Sequence, residues 1–155
     1  MYRNILIATD GSDLAGKAVD HGVMLAKGTE ASVVFVTVTE NWSAIAMGAE
    51  STQGMSNPIE SYEAIAAKRA QNILAAAKTA AEDAGIECET VHVPDQPPAE
   101  GIIETANEKG CDLIVMAARK GFLKDNRIGP HIKSVLRRSK IPVLIVPPMS
   151  DATIT

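Results

Sequence analysis

Five short runs of apolar residues, separated by stretches of helical length, constrain this chain more than any other feature of its sequence. Ile5-Leu6-Ile7 lies within a first run, Asn4–Thr9, and Val33-Val34-Phe35-Val36 within a second, Ala31–Val38. Asp112–Met116 and Pro142–Val146 are later runs of the same kind, while Glu87–Val93 alternates apolar and polar residues. Successive side chains of a strand point to opposite faces, so a run that is apolar throughout must be covered on both sides, as in a parallel sheet. The alternating run fits a strand nearer an edge.

Four helices are expected between these strands. The first spans Asp13 to about Lys27, with Ser12 as its cap and Gly28 as its stop. The second has the clearest start: Asn57 as cap, Pro58 at the first helical position and Glu60 in the capping-box position. It continues to Glu82–Asp83, with Ile59, Tyr62, Ala66, Ala70, Ile73, Ala77 and Ala80 as its inner stripe and Gly85 beyond its end. A third covers Ala99–Lys109 and a fourth Pro130 to about Ser139. Strictly alternating strands and helices give a three-layer, doubly wound α/β fold with right-handed crossovers. Ligands bind such sheets at the carboxyl ends of the strands, where strand order reverses. If the order is 3-2-1-4-5, the turns after the first and fourth strands face each other.

A length of 155 residues suits one domain, expected over 1–148 with a C-terminal tail at 149–155. No apolar stretch approaches the ~20 residues of a membrane span. The chain enters its first strand within a few residues of Met1, leaving no signal-peptide pattern, and Cys88 and Cys111 read as reduced thiols. A cytoplasmic protein is therefore expected.

The formal net charge of −4 hides a lopsided distribution. Residues 119–140 hold Arg119, Lys120, Lys124, Arg127, Lys133, Arg137, Arg138 and Lys140 against one acid, Asp125. Such a field can focus an anionic ligand, although cations at a helix C-terminus are also favourable in themselves. Residues Thr39 to Ser56 form a long connection bearing the sole tryptophan, Trp42. Connections of that length within a compact domain are typically lids, partner-contact loops or disordered segments. A protein partner of unspecified kind could engage it.

Three motifs in order, Ile5-Leu6-Ile7-Ala8-Thr9-Asp10-Gly11-Ser12, Asp112-Leu113-Ile114-Val115-Met116 and Ser139-Lys140-Ile141-Pro142-Val143-Leu144-Ile145-Val146, resemble the universal stress protein (UspA) family over essentially the whole chain. The resemblance implies a five-stranded parallel sheet of order 3-2-1-4-5 of the adenine nucleotide alpha hydrolase-like kind, dimers, and a cytoplasmic role in stress survival. Many members bind ATP, while a UspA-like branch does not; the cofactor the resemblance implies is ATP or another adenine nucleotide with Mg, or none if the pocket is degenerate. The implied nucleotide-contacting positions are Ala8, Thr9, Asp10, Thr37, Met116, Ala117, Arg119, Lys120, Gly129, Pro130 and His131. Thr9 and Asp10 match positions beside the adenosine, and Thr37 a backbone site that reads the adenine edge.

The phosphate loop departs from the ATP-binding pattern of Gly-x-x-Gly, nine residues, then Gly-Ser or Gly-Thr. Here Ala117 and Lys120 replace the two glycines, eight residues precede Gly129, and Pro130 replaces the hydroxyl residue. Lysine lacks the clearance and positive-φ freedom of glycine. Proline removes an N–H donor as well as the hydroxyl, though it suits a first helical position. The expectation is a degenerate pocket with weak or absent ATP binding; retained binding and slow hydrolysis is the alternative.

No catalytic residue and no metal site is expected: His21, His92 and His131 lack metal-ligand spacing, and there is no Walker loop or nucleophile elbow. The chain is thus expected to be no enzyme beyond slow ATP hydrolysis. With so few aromatics, no nucleic-acid partner is expected, nor a membrane. In the order 3-2-1-4-5, Val143, Leu144, Ile145 and Val146 form an uncharged edge strand that invites pairing with a second copy.

Overall fold

The computed structural model describes residues 1–40, 58–118 and 129–148, with side chains of the second helix from residue 62 onward. The elements alternate as β1 (Asn4–Ala8), α1 (Asp13–Thr29), β2 (Ser32–Val38), α2 (Pro58–Asp83), β3 (Cys88–Val93), α3 (Pro98–Glu108), β4 (Leu113–Ala117), α4 (Pro130–Arg138) and β5 (Val143–Val146). The strands form one sheet of order β3-β2-β1-β4-β5, parallel throughout. Ile5 stands level with both Val33 and Leu113 in the register.

The two-residue period of the strands divides the core into two layers. Ile5, Ile7, Val33, Phe35 and Val115 pack on the face covered by α1 and α2. Leu6, Val34, Val36, Ile114 and Met116 pack on the face covered by α3 and α4. The uninterrupted apolar runs are thus strands buried from both sides. The approach of α1 is close: a Cβ at Gly22 would stand 2.5 Å from Cδ1 of the fully buried Ile7.

Two local expectations are corrected. The first helix passes through Gly28 and ends at Glu30, which adopts the left-handed conformation (φ 58°) and donates its N–H to Ala26 O. A glycine was not needed, because that backbone hydrogen bond and the one from Thr29 Oγ1 to Leu25 O hold the terminus. In α2 the buried stripe is Ala70, Leu74, Ala77 and Ala81, rather than one through Ile73 and Ala80, which are only half-buried. Ala66 is half-buried too, so the inward face is established only from Ala70. The expected cap Asn57, the side chain of Ile59 and the bulk of the long connection with Trp42 lie outside the described residues.

The two sheet edges differ in chemistry. At β3 the exposed Glu89 pairs with Lys109 at the end of α3. At β5 all four residues are aliphatic, three of them half-buried.

Candidate functional site

The turn after β1 organises one wall of a cavity at the carboxyl ends of the strands. Thr9 extends the ladder by donating its N–H to Val36 O (3.0 Å), and its buried Oγ1 accepts from Gly11 N–H (3.2 Å). Asp10 Oδ1 accepts from Ser12 N–H (2.9 Å), and Ser12 Oγ caps α1 by accepting from Ala15 N–H (3.2 Å). Gly11 has φ +81°, and a Cβ there would stand 2.7 Å from Cγ1 of Ile73 on α2. Both the left-handed backbone and the crowding require glycine.

Opposite this turn, β4 ends as Ala118 donates its N–H to Val146 O (2.8 Å). The start of α4 completes that side: Gly129 is buried, Pro130 is the first helical residue, and Lys133 N–H reaches Gly129 O (3.0 Å). The N–H groups of His131 and Ile132, in the first turn, have no partner among the described residues. No acidic side chain occupies that first turn, unlike α1 with Asp13 and α3 with Glu100.

Between these walls lies an open cavity of about 450 Å³, within the range of small-molecule sites. Ala8, Thr9, Asp10, Met116, Ala117, Gly129 and His131, all expected at the site, share its lining. Thr37 and Pro130 do not line it: Thr37 is buried, and its neighbours Val36 and Val38 face the cavity instead. Arg119 and Lys120 lie outside the described residues.

Sequence reasoning missed the far wall, which is made by Val36, Val38, Glu40, Pro98 and Ile102. A signal for Glu40 was available: it stands two residues past the end of β2, just as Asp10 stands two past the end of β1. The chain is tied down beside it. Thr39 donates its N–H to Val93 O (2.9 Å), its Oγ1 lies 3.0 Å from His92 Nε2, and Tyr62 donates its hydroxyl proton to Glu40 O (3.4 Å). Burial pushes the His92 pKa below its ordinary value. Burial, reinforced by Glu40 and Asp95, raises that of Tyr62.

The cavity is aliphatic over most of its wall. Asp10 and Glu40 are the acidic residues among those described on it, and the first turn of α4 stands at its side with Gly129, His131 and Ile132. Neither cysteine lines it, and burial pushes the Cys111 thiol up to about 11. Among the described residues no group of three or more His, Cys, Asp or Glu is placed to hold a metal ion. No described helix is long and apolar enough to cross a membrane.

Comparison with known proteins agrees with this architecture. A family model described as the universal stress protein family matches residues 1–147. The chain is 33% identical over 150 residues to the universal stress protein YxiE of Bacillus subtilis (strain 168), covering 94% of this chain and 99% of that one. A solved universal stress protein from Burkholderia pseudomallei superposes with a TM-score of 0.72 at 25% identity, covering 95% of this chain and 97% of that one. A universal stress protein crystallised in complex with cAMP superposes with a TM-score of 0.62 at 25% identity, covering 94% and 96%. With its sheet order, its cavity at the strand ends and these matches, the chain belongs to the universal stress protein family.

Proposed function

We propose that this chain acts as a homodimeric, cytoplasmic stress protein whose nucleotide pocket keeps a place for adenosine but seats a triphosphate poorly. The carrying observation is the start of α4, where Pro130 stands at the first helical position, between Gly129 and His131, which line the cavity. Proline there supplies neither N–H nor hydroxyl to a phosphate. Among the described residues, the wall's hydroxyls are tied to the main chain, Thr9 Oγ1 by Gly11 N–H and Ser12 Oγ by Ala15 N–H, a chemistry that suits binding rather than turnover.

Thermal unfolding with and without Mg-ATP tests the pocket. A ligand at ~100 times its dissociation constant adds roughly 2.7 kcal/mol of stability, which for a domain of this size raises the melting temperature by several degrees. Millimolar Mg-ATP is expected to produce no shift of that size.

The second reading is an ATP-binding regulator or slow ATPase. It is favoured by the N–H donors of His131 and Ile132, which an anion could still use, and by the relative crystallised with cAMP. A clear shift with Mg-ATP would select this reading.

Support for the dimer comes from the chemistry of the edge at β5. Val143, Leu144, Ile145 and Val146 present an aliphatic strand without a charge to blunt it, and antiparallel pairing of two copies would satisfy the backbone groups along its outer side. Pro147 and Pro148 limit the length of that ladder. Leu144→Lys should therefore run as a monomer on a sizing column; an unchanged dimer removes this interface. The connection from Thr39 to Ser56 is the proposed contact for a protein partner.

A further inference from the structure

The two ends of the cavity carry opposite chemistry. At the α4 end, main-chain N–H groups and the positive end of a helix dipole favour an anion. At the β2 end the described wall is Val36, Val38, Pro98 and Ile102, with Glu40 as the charged residue among those described there. An anionic group is repelled from this end, whereas a flat apolar ring fits against it. The wall is also stiff: a Cβ at Gly101 on α3 would stand 2.8 Å from Val38 Cγ2 and 3.3 Å from Val93 Cγ1, so α3 lies directly on the end of β2.

We propose that Glu40 is a specificity-determining residue of this cavity, its carboxylate accepting a hydrogen bond from the exocyclic amine of an adenine ring seated against Val36, Val38 and Ile102. The inference rests on the reading of the cavity as an adenosine site. A carboxylate is acceptor-only, so the ligand edge that meets it must donate. The exocyclic amine of adenine does so, and a purine without that amine does not. The main chain at Glu40 is fixed from two directions, by Tyr62 of α2 and, through Thr39, by Val93 and His92 of β3. A carboxylate on a tethered chain at the rim of an aliphatic slot discriminates more sharply than one on a free loop, because little ordering remains to be done on binding.

The test is calorimetric titration of the full chain with adenosine and with purine riboside, which has the same shape and lacks only the amine. The wild-type protein is expected to bind adenosine about tenfold more tightly, the scale of one hydrogen bond to a charged group. In Glu40→Ala the two ligands should bind within about twofold of each other, because the deleted amine then has no partner to lose. Glu108→Ala removes a carboxylate outside the cavity and should leave the tenfold preference intact. Equal binding of both ligands by the wild-type protein, survival of the preference in Glu40→Ala, or binding of neither ligand would each overturn the inference. Binding of neither also removes the place for adenosine from the proposed function, whereas equal binding, or a preference that survives in Glu40→Ala, overturns only the role of Glu40. Tight Mg-ATP binding together with a preference that Glu40→Ala abolishes would do the reverse, supporting the role of Glu40 and overturning the poor triphosphate seat.

Discussion

The two turns that face each other across the cavity are built on opposite plans. After β1, the chain satisfies itself: Thr9 Oγ1, Asp10 Oδ1 and Ser12 Oγ each accept from a nearby N–H, and Asp13 supplies an anion to the dipole of α1. At the start of α4 there is no capping side chain and no acid, and the N–H groups of His131 and Ile132 have no partner among the described residues. A turn whose hydrogen bonds are internal holds its shape without a ligand; a helix start with open donors has something left to give one. On the proposed reading the first turn is the rigid reference wall, and the second is where affinity for an anion would be set. Pro130 would lower that affinity, on the proposed reading, without disturbing the helix, because its missing N–H would have had no helical partner anyway.

The sharpest way to break this contrast is to strain the rigid wall. Gly11→Ala forces a side chain into a left-handed conformation and against Ile73, and should destabilise the fold by about 2–4 kcal/mol in urea unfolding. A loss below ~1 kcal/mol would show that the turn can yield, contrary to its role as reference. On the other wall, Pro130→Ser restores an N–H and a hydroxyl. It should tighten ATP binding by about three- to tenfold while leaving stability within ~0.5 kcal/mol, as read by calorimetry and urea unfolding of the same variant.

Smaller effects sharpen the picture. Ser12→Ala removes the α1 cap and should cost about 1 kcal/mol, with no comparable side chain to delete at Gly129. The smallest effect concerns the rim. Burial holds the folded pKa of His92 below 6.5, so the unfolded chain binds the proton more readily. The associated stability is fully present above about 6.5 and is lost as pH falls through the folded value. Unfolding midpoints followed from pH 7 to 5 should decline in the wild-type protein and decline less in His92→Gln.

Much of this architecture was legible in the sequence, for physical reasons that vary by element. Ile5-Leu6-Ile7 and Asp112–Met116 announce strands covered on both faces, and the alternation of Glu87–Val93 announces an edge; all three took those places in the sheet. The end of α1 was misjudged because Gly28 is a permissive residue rather than an obligatory stop, and Glu30 accepted the left-handed geometry that closes the helix. The inward face of α2 was misjudged because so many of its positions are alanine, leaving Leu74 as the single bulky marker of the buried side.

The cavity was legible on the sides where strand, turn and helix follow one another closely. Asp10 and Gly129 could thus be placed from local pattern alone. Glu40 shares the offset of Asp10 from its strand end, but its place on the cavity depends on tethers from His92, Val93 and Tyr62, far away in sequence. Pro98 and Ile102 likewise reach the cavity only because α3 rests on the end of β2.

The central claim is that adenosine keeps its slot here while the triphosphate has lost its seat, and paired titrations of one protein sample with adenosine and with Mg-ATP test it most directly. The account predicts that Mg-ATP binds no more tightly than adenosine, the added phosphates gaining nothing at the start of α4. Mg-ATP binding tenfold or more tighter than adenosine would contradict it.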